Sequence, residues 1–215
     1  MERLTASQLK NLFLHVSQVV IDSKEQLCEA DRNIGDGDHG IGMANGFEAA
    51  KRELEANEYS DVYAIFSAVG RTMIKVMGGA SGIIFGLLFY AGSKNMNPEP
   101  SLTTAGFVEI FEKALAEIKL KGQAKLGDKT LIDGLEPTVE AMQAGLSQGL
   151  GFSALLNEAL LAAELGKEKS KQYIAKIGKA KTLGERAIGY PDAGCVTLTV
   201  IIRAMLEWVN LQMEG

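Results

Sequence analysis

Three carboxylates and four glycines crowd one short stretch, Asp31-Arg-Asn-Ile-Gly-Asp-Gly-Asp-His-Gly-Ile-Gly42. Asp31, Asp36 and Asp38 alternate there with Gly35, Gly37, Gly40 and Gly42. Like charges this close repel unless a cation sits among them. Hard carboxylate oxygens on a flexible glycine loop suit Mg²⁺ or Ca²⁺ rather than zinc. Mg²⁺ commonly takes one or two protein carboxylates per ion and completes its shell with water and substrate phosphate. Three acids can therefore hold a pair of Mg²⁺ ions facing the phosphates of a nucleotide. Beyond His39 a helical spacing begins (Ile41, Ala44, Phe47, Ala50, Leu54), which turns the first N–H groups of that helix toward an anion. A solvated acidic turn uses the same residue types, and spacing alone does not choose between the two.

Three familiar loops are set aside. Gly35-Asp-Gly-Asp-His-Gly40 has the letters of a dinucleotide fingerprint, but an amphipathic helix precedes it rather than a strand, and its acids repel a pyrophosphate. Gly122 to Thr130 approaches a Walker A loop, but Asp128 separates Gly127 from Lys129 and again no strand precedes. A twelve-residue EF-hand loop begun at Asp31 or Asp36 closes on Gly42 or Phe47 instead of glutamate.

Two further stretches break the helical pattern. Gly78-Gly-Ala-Ser-Gly82 enters an apolar run, Ile83 to Tyr90, offering N–H groups and the Ser81 hydroxyl; a tight helix-helix turn is the alternative. Gly178 to Gly194 is long and irregular for a connection inside a compact domain. Its Lys179, Lys181 and Arg186 can offset phosphate charge, or simply form a charged surface loop.

The chain that must position these residues has 215 amino acids, 47% of them hydrophobic, and a net charge of −5. That length fits one domain, residues 1–215, burying about 70% of its unfolded surface. The acidic balance argues against nucleic acid or an anionic membrane as partner. No secretory leader and no apolar run near 18 residues is evident, so a cytoplasmic protein is expected. Cys28 and Cys195 are far apart and read as free thiols. Only His15 and His39 are available as imidazole ligands, too few for zinc.

Helical periodicity covers most of the sequence. Thr5-Ala-Ser-Gln8 has the form of a capping box, followed by Leu9, Leu12, Phe13, Val16, Val20 and, on the same face, Leu27. Further helices are expected from about Gly40 to Ala56, after a cap at Ser60, over the apolar run from residue 83, from Thr103 or Thr104, from Leu131 with Pro137 as a kink or first-turn residue, from Phe152 to about Lys176, and from Cys195 to Leu211. Eight helices and no strand make an all-α, antiparallel up-and-down barrel or bundle. In such a set, alternate loops share one rim. Residues 31–42, 78–82, 122–131 and 178–194 then converge there.

These four motifs, in this order, resemble the L subunit of dihydroxyacetone kinase: Asp31 to Gly40, Gly78 to Gly82, Gly127-Asp-Lys-Thr130, and Leu183-Gly-Glu-Arg-Ala-Ile-Gly189 with Asp192-Ala-Gly194. The resemblance implies an eight-helix barrel carrying ADP or ATP and two Mg²⁺ at one rim. By position it makes Asp31, Asp36 and Asp38 the metal ligands. His39, Gly40, Ile41 and Gly42 fall where phosphates bind, and Ala80 and Ser81 at a second nucleotide contact. Gly122 and Leu131 line the nucleotide, and Arg186 with Asp192, Ala193 and Gly194 covers it. Asp192-Ala-Gly194 stands where the family often has Asp-Pro-Gly. The resemblance implies γ-phosphoryl transfer to dihydroxyacetone held on a separate K subunit, with the ADP recharged in place by a phosphohistidine M subunit. Asp31, Asp36, Asp38 and Arg186 are the expected catalytic groups. Two other readings use the same site: an ATP-exchanging kinase domain, and a nucleotide-sensing protein that contacts a transcription regulator.

Overall fold

The computed structural model describes residues 1–214. Its α-helices are α1 (Ala6–Asp22), α2 (Lys24–Arg32), α3 (His39–Ala56), α4 (Val62–Met77), α5 (Gly79–Ser93), α6 (Thr104–Gly122), α7 (Ile132–Ser147), α8 (Phe152–Ser170) and α9 (Ala193–Glu214). A 3-10 segment spans Lys179–Ala187. Eight of the helices close a ring in which α1 packs on α3, α3 to α9 pack in succession, and α9 returns to α1. The short α2 lies outside the ring against α3 and α9. The expected all-α eight-helix barrel is thus present, with one helix added.

That ninth helix comes from a break the periodicity did not show. Leu27 keeps the phase of the first apolar face, but the chain turns at Ser23, whose hydroxyl and backbone N–H both donate to the Val19 carbonyl (2.7 and 3.0 Å). Two three-residue strands are a second departure. β1 (Arg3–Thr5) pairs antiparallel with β2 (Ser101–Thr103), Leu4 opposite Leu102. Each strand ends in a threonine cap: Thr5 with Gln8 closes the expected capping box, and Thr103 accepts from Gly106 N. The cap of α4 is Asp61 rather than Ser60; its carboxylate accepts from Tyr63 N, Ala64 N and Glu99 N. α8 stops at Ser170, short of Lys176, because the following residues bond elsewhere: the Lys171 carbonyl accepts from Gly189 N and Lys176 N donates to the Asp128 carbonyl. Pro137 lies inside α7, beyond its first turn.

The apolar run from residue 83 is helical, as α5. It approaches α4 closely because Gly70 and Gly86 face each other; a Cβ on Gly70 would run into the Gly86 carbonyl and the Tyr90 backbone. Phenylalanines fill the ring interior. Phe13 meets Phe66 and Phe89 edge-on (centroids 4.9 and 5.5 Å), and Phe107 meets Phe152 at 5.6 Å. Each of these rings is buried, which contributes roughly 1.5–3 kcal/mol apiece. Trp208 packs into the same core at 7% exposure.

Contacts at the helix ends fix the directions. Phe152 N donates to the Met1 carbonyl and Val62 N to the Glu99 carbonyl, so α1, α4, α6 and α8 all start at one end. α3, α5, α7 and α9 start at the other, with the glycine-rich connections. α9 is by length and composition apolar enough to cross a membrane, contrary to the expectation of no such run; its most apolar stretch is 67% buried in the barrel wall.

Candidate metal and nucleotide site

Asp31 ends up beside Asp36 and Asp38 because the chain reverses tightly after α2. Ile34 N and Gly35 N donate back to the Asp31 carbonyl (3.0 and 2.6 Å). Gly35 is needed at this bend: an added Cβ would overlap the Asp31 carboxylate. Gly37 takes φ +77°, a left-handed conformation, and its N–H donates to Asp31 Oδ2 at 2.9 Å. The result brings one carboxylate oxygen from each aspartate within 4.8 Å of the others. At that spacing, each pair of charges repels by about 1 kcal/mol even in water, and by several times more where solvent is partly excluded.

The structure answers that repulsion with a lysine. Lys179 Nζ lies 2.5 Å from Asp36 Oδ2 and 3.6 Å from Asp38 Oδ1. Its hydrogen bond holds the Asp36 carboxyl below the usual carboxylate range, and Asp36 in turn raises Lys179. A cation thus stands among these acids, and the all-oxygen donor set suits magnesium. The residues fit a magnesium site.

The helix that follows faces the same space. No side chain caps the start of α3. Gly42 N is the first to find a helical partner, the Asp38 carbonyl at 3.0 Å. The N–H groups of His39, Gly40 and Ile41 therefore point past the helix end, beside the aspartates. Gly40 and Gly42 serve opposite purposes. A Cβ on Gly40 would collide with the Lys24 carbonyl and Cys28, so Gly40 lets α3 dock on α2. A Cβ on Gly42 would meet nothing within 4 Å. That open side is where a ligand can approach the backbone.

His39 is oriented from across the ring. Its Nε2 lies 2.7 Å from Thr197 Oγ1 in the first turns of α9, and its ring packs 5.8 Å from Phe85 of α5. Burial pushes the imidazole below its usual value, outweighing the nearby Asp31 and Asp38. That shift favours the uncharged imidazole, which acts as a hydrogen-bonding group.

The other expected residues gather around this centre by degrees. α5 also starts without a side-chain cap, leaving the N–H groups of Ala80 and Ser81 exposed at the rim. Leu131, at 5% exposure, packs against Gly194, whose added Cβ would lie 3.2 Å from Leu131 Cβ. Gly122 backs onto Ile84 of α5. Asp192 and Ala193 start α9; Asp192 Oδ1 accepts from Cys195 N at 2.9 Å. Arg186 is exposed in the 3-10 segment and makes no ion pair among the described residues. Its segment is nonetheless fastened to the aspartate loop, since Ala187 and Leu183 pack with Ile34 and Ala193.

Sequence reasoning passed over the groups that hold these loops together. Lys129, inside the Walker-like decoy, is almost fully buried at 2% exposure and takes φ +58°. Its ammonium donates to the Ser170 and Tyr190 carbonyls (2.7 and 2.6 Å), pinning the 178–192 connection to the 122–131 loop. Asp133 accepts from Gly127 N and Thr130 N and shapes that loop. Thr197 could have been noticed as a hydroxyl one turn into an apolar helix. Nothing local marks Lys129 as buried.

The family model described as the DAK2 domain matches residues 33–207. The ADP-binding subunit DhaL of PEP-dependent dihydroxyacetone kinase 1 from Listeria innocua is 35% identical over 189 residues, 87% of this chain and 89% of that protein. Its Escherichia coli counterpart is 30% identical over 202 residues, 94% of this chain and 96% of that protein. Among solved structures, the dihydroxyacetone kinase from C. freundii in complex with AMP-PNP and Mg²⁺ superposes with a TM-score of 0.71 at 26% identity. It is matched over 94% of this chain, which spans about a third (34%) of that longer kinase.

Proposed function

We propose that this chain, which belongs to the DAK2 domain family, is the ADP-binding subunit of a phosphoenolpyruvate-dependent dihydroxyacetone kinase. It is a phosphotransferase. The terminal phosphoryl group of a bound Mg-nucleotide passes to dihydroxyacetone presented by a separate K subunit, and an M subunit carrying phosphohistidine recharges the ADP in place. One observation carries the reading. An aspartate triad with oxygens within 4.8 Å sits at the uncapped start of a helix, in a chain similar to ADP-binding subunits over nearly all its length.

Asp31, Asp36 and Asp38 would hold the magnesium, with three carboxylates enough for two ions. Magnesium bound there neutralises charge on the phosphate oxygens. With Gly42, which has no side chain, leaving the approach open, the N–H groups of His39, Gly40 and Ile41 donate to phosphate oxygens at the positive end of α3. Those of Ala80 and Ser81 do the same from α5. Gly122, Leu131 and the Asp192-Ala-Gly194 turn border the nucleoside, and Arg186 offsets charge on the transferring group. Phosphoryl transfer asks the protein for positioning and charge stabilisation rather than covalent chemistry. Residues 1–215 act as one nucleotide-binding unit in the cytoplasm.

Reconstitution tests this directly. Supplied with a K subunit, an M subunit and the phosphoenolpyruvate phosphorelay, the chain should form dihydroxyacetone phosphate without added free ATP. Asp36→Asn should lower that rate by more than about 100-fold. Near-normal turnover by Asp36→Asn would remove the metal assignment.

A further inference from the structure

The long connection between α8 and α9 is closed at both ends by two adjacent residues of another loop. At its start, Lys176 N donates to the Asp128 carbonyl (3.1 Å) and Lys176 Nζ to Asp128 Oδ1 (3.0 Å). At its end, the Lys129 ammonium donates to the Tyr190 carbonyl at 2.6 Å, and to the carbonyl of Ser170, the last residue of α8, at 2.7 Å. Two further bonds complete this closure: Gly189 N donates to the Lys171 carbonyl at 2.7 Å and Asp192 N to Ser170 Oγ at 2.9 Å. Between the two ends, Leu183 and Ala187 rest on Ile34 of the aspartate loop.

The two halves of this clasp differ in burial. The Lys176 side chain is 59% exposed, and an ion pair open to water contributes little. Lys129 is buried, so removing its ammonium leaves interior carbonyls without a partner, which is costly. The carboxylates of Asp192 and Asp133 favour its charged form against burial. Its backbone is held at φ +58°, a left-handed conformation that a lysine keeps only where its surroundings enforce it.

We propose that Lys129 is a positioning residue that sets how long the nucleotide stays bound. This rests on the nucleotide reading above and deepens it. Gly122 and Leu131, on the nucleoside side, flank the loop that carries Lys129. Arg186 and the Asp192-Ala-Gly194 turn belong to the connection that Lys129 holds shut. A nucleotide bordered by both is released when the two part, and parting them strips the buried ammonium of both its carbonyls. Lys129 therefore acts on release far more than on capture, without touching the ligand.

The proposal is tested by timing release. Parent and Lys129→Met, stripped of nucleotide, are loaded with Mg²⁺ and a fluorescent N-methylanthraniloyl derivative of ADP, then chased with excess ADP. Lys129→Met should release the probe at least about tenfold faster, with its association rate within about twofold of the parent. Lys176→Met, which cuts only the exposed half of the clasp, should stay within about twofold in both rates. Mn²⁺ alone, followed by loss of the free-ion electron paramagnetic resonance signal, should bind parent and Lys129→Met equally, because the aspartate triad is built by other contacts. Release at the parent's rate overturns the proposal, and so does a joint loss of Mn²⁺ and nucleotide, which is the mark of a general folding defect. A second measurement uses the parent alone, in case Lys129→Met does not fold. The amide hydrogens of Lys176 and Gly189, which close the connection, should exchange with solvent at least about tenfold more slowly with Mg²⁺ and ADP bound than without. Equal exchange in the two states would show that the connection does not gate the nucleotide, and would overturn the proposal. A parent that takes up no probe even with Mg²⁺ defeats the nucleotide reading itself, and the proposal with it.

Discussion

His39 Nε2 and Thr197 Oγ1 lie 2.7 Å apart, joining the first residue of α3 to the first turns of α9 across the closure of the barrel. Thr197 Oγ1 also donates to the Ala193 carbonyl at 3.1 Å. The hydroxyl proton is thereby committed, so its oxygen accepts from an Nε2–H of the neutral imidazole. Nδ1 then carries the lone pair. This one contact sets both the tautomer and the direction of the histidine at the head of the phosphate-facing helix.

Thr197→Val removes the acceptor while keeping the shape. Thr197 is fully buried, so the orphaned Nε2–H should cost about 1–3 kcal/mol of stability. Urea unfolding monitored by circular dichroism checks the magnitude, and nitrogen NMR of the imidazole should show the Nε2–H tautomer in the parent protein. An unchanged unfolding midpoint would mean that the contact does not hold His39.

The two glycines of the first turn of α3 should separate folding from binding. Gly40→Ala drives a methyl group into the Lys24 carbonyl and Cys28, and should destabilise the fold by about 1–3 kcal/mol. Gly42→Ala adds its methyl to open space and should fold at least as stably, since alanine favours helix by about 1 kcal/mol over glycine. It should nonetheless weaken nucleotide binding by about tenfold, because the methyl fills the side on which phosphates approach. Thermal melts and calorimetric titration of both variants test the contrast. Full nucleotide affinity in Gly42→Ala would show that the open face is not the phosphate side.

Burial raises Asp192 to about 6, overriding the hydrogen bond from Cys195 N. The folded chain therefore takes up a proton that the unfolded chain, with an ordinary aspartate, does not. The resulting stability is complete below about pH 4 and disappears as pH rises through about 6. Within that window it changes by about 1.4 kcal/mol per pH unit. Asp192→Asn can still accept from Cys195 N as a helix cap but has no proton to exchange. The difference in unfolding free energy between parent and variant should shrink or grow along that slope between pH 4 and 6, the parent gaining on acidification. A difference independent of pH would contradict the assignment.

The sequence exposes what is written in local composition. Asp31, Asp36 and Asp38 stand out because three carboxylates within eight residues repel one another unless a cation sits among them, and the glycines at 35, 37, 40 and 42 mark a backbone that can bend and be approached. The four rim connections follow from counting alternate loops, and the helical faces follow from periodicity. Other features depend on contacts between distant parts of the chain. Ser23 breaks a helix whose apolar phase continues through Leu27. α8 ends at Ser170 because the Lys171 carbonyl and the Lys176 N–H find partners at Gly189 and Asp128. Lys129 looks like any loop lysine until the fold surrounds it with the Ser170 and Tyr190 carbonyls. Lys179 was visible as a positive charge, but its seat between Asp36 and Asp38 needed the barrel to bring residues 36 and 179 together.

The most direct test of the account is to ask what the protein carries. Purified without added nucleotide, desalted with Mg²⁺ present and then denatured, it should release near-stoichiometric ADP or ATP on anion exchange. That result fits a coenzyme kept in place and recharged by a phosphohistidine donor. A chain that arrives without nucleotide and gains it only on addition would replace this reading with that of an ATP-exchanging kinase. A chain that takes up no nucleotide even with Mg²⁺ would contradict the site built on Asp31, Asp36 and Asp38.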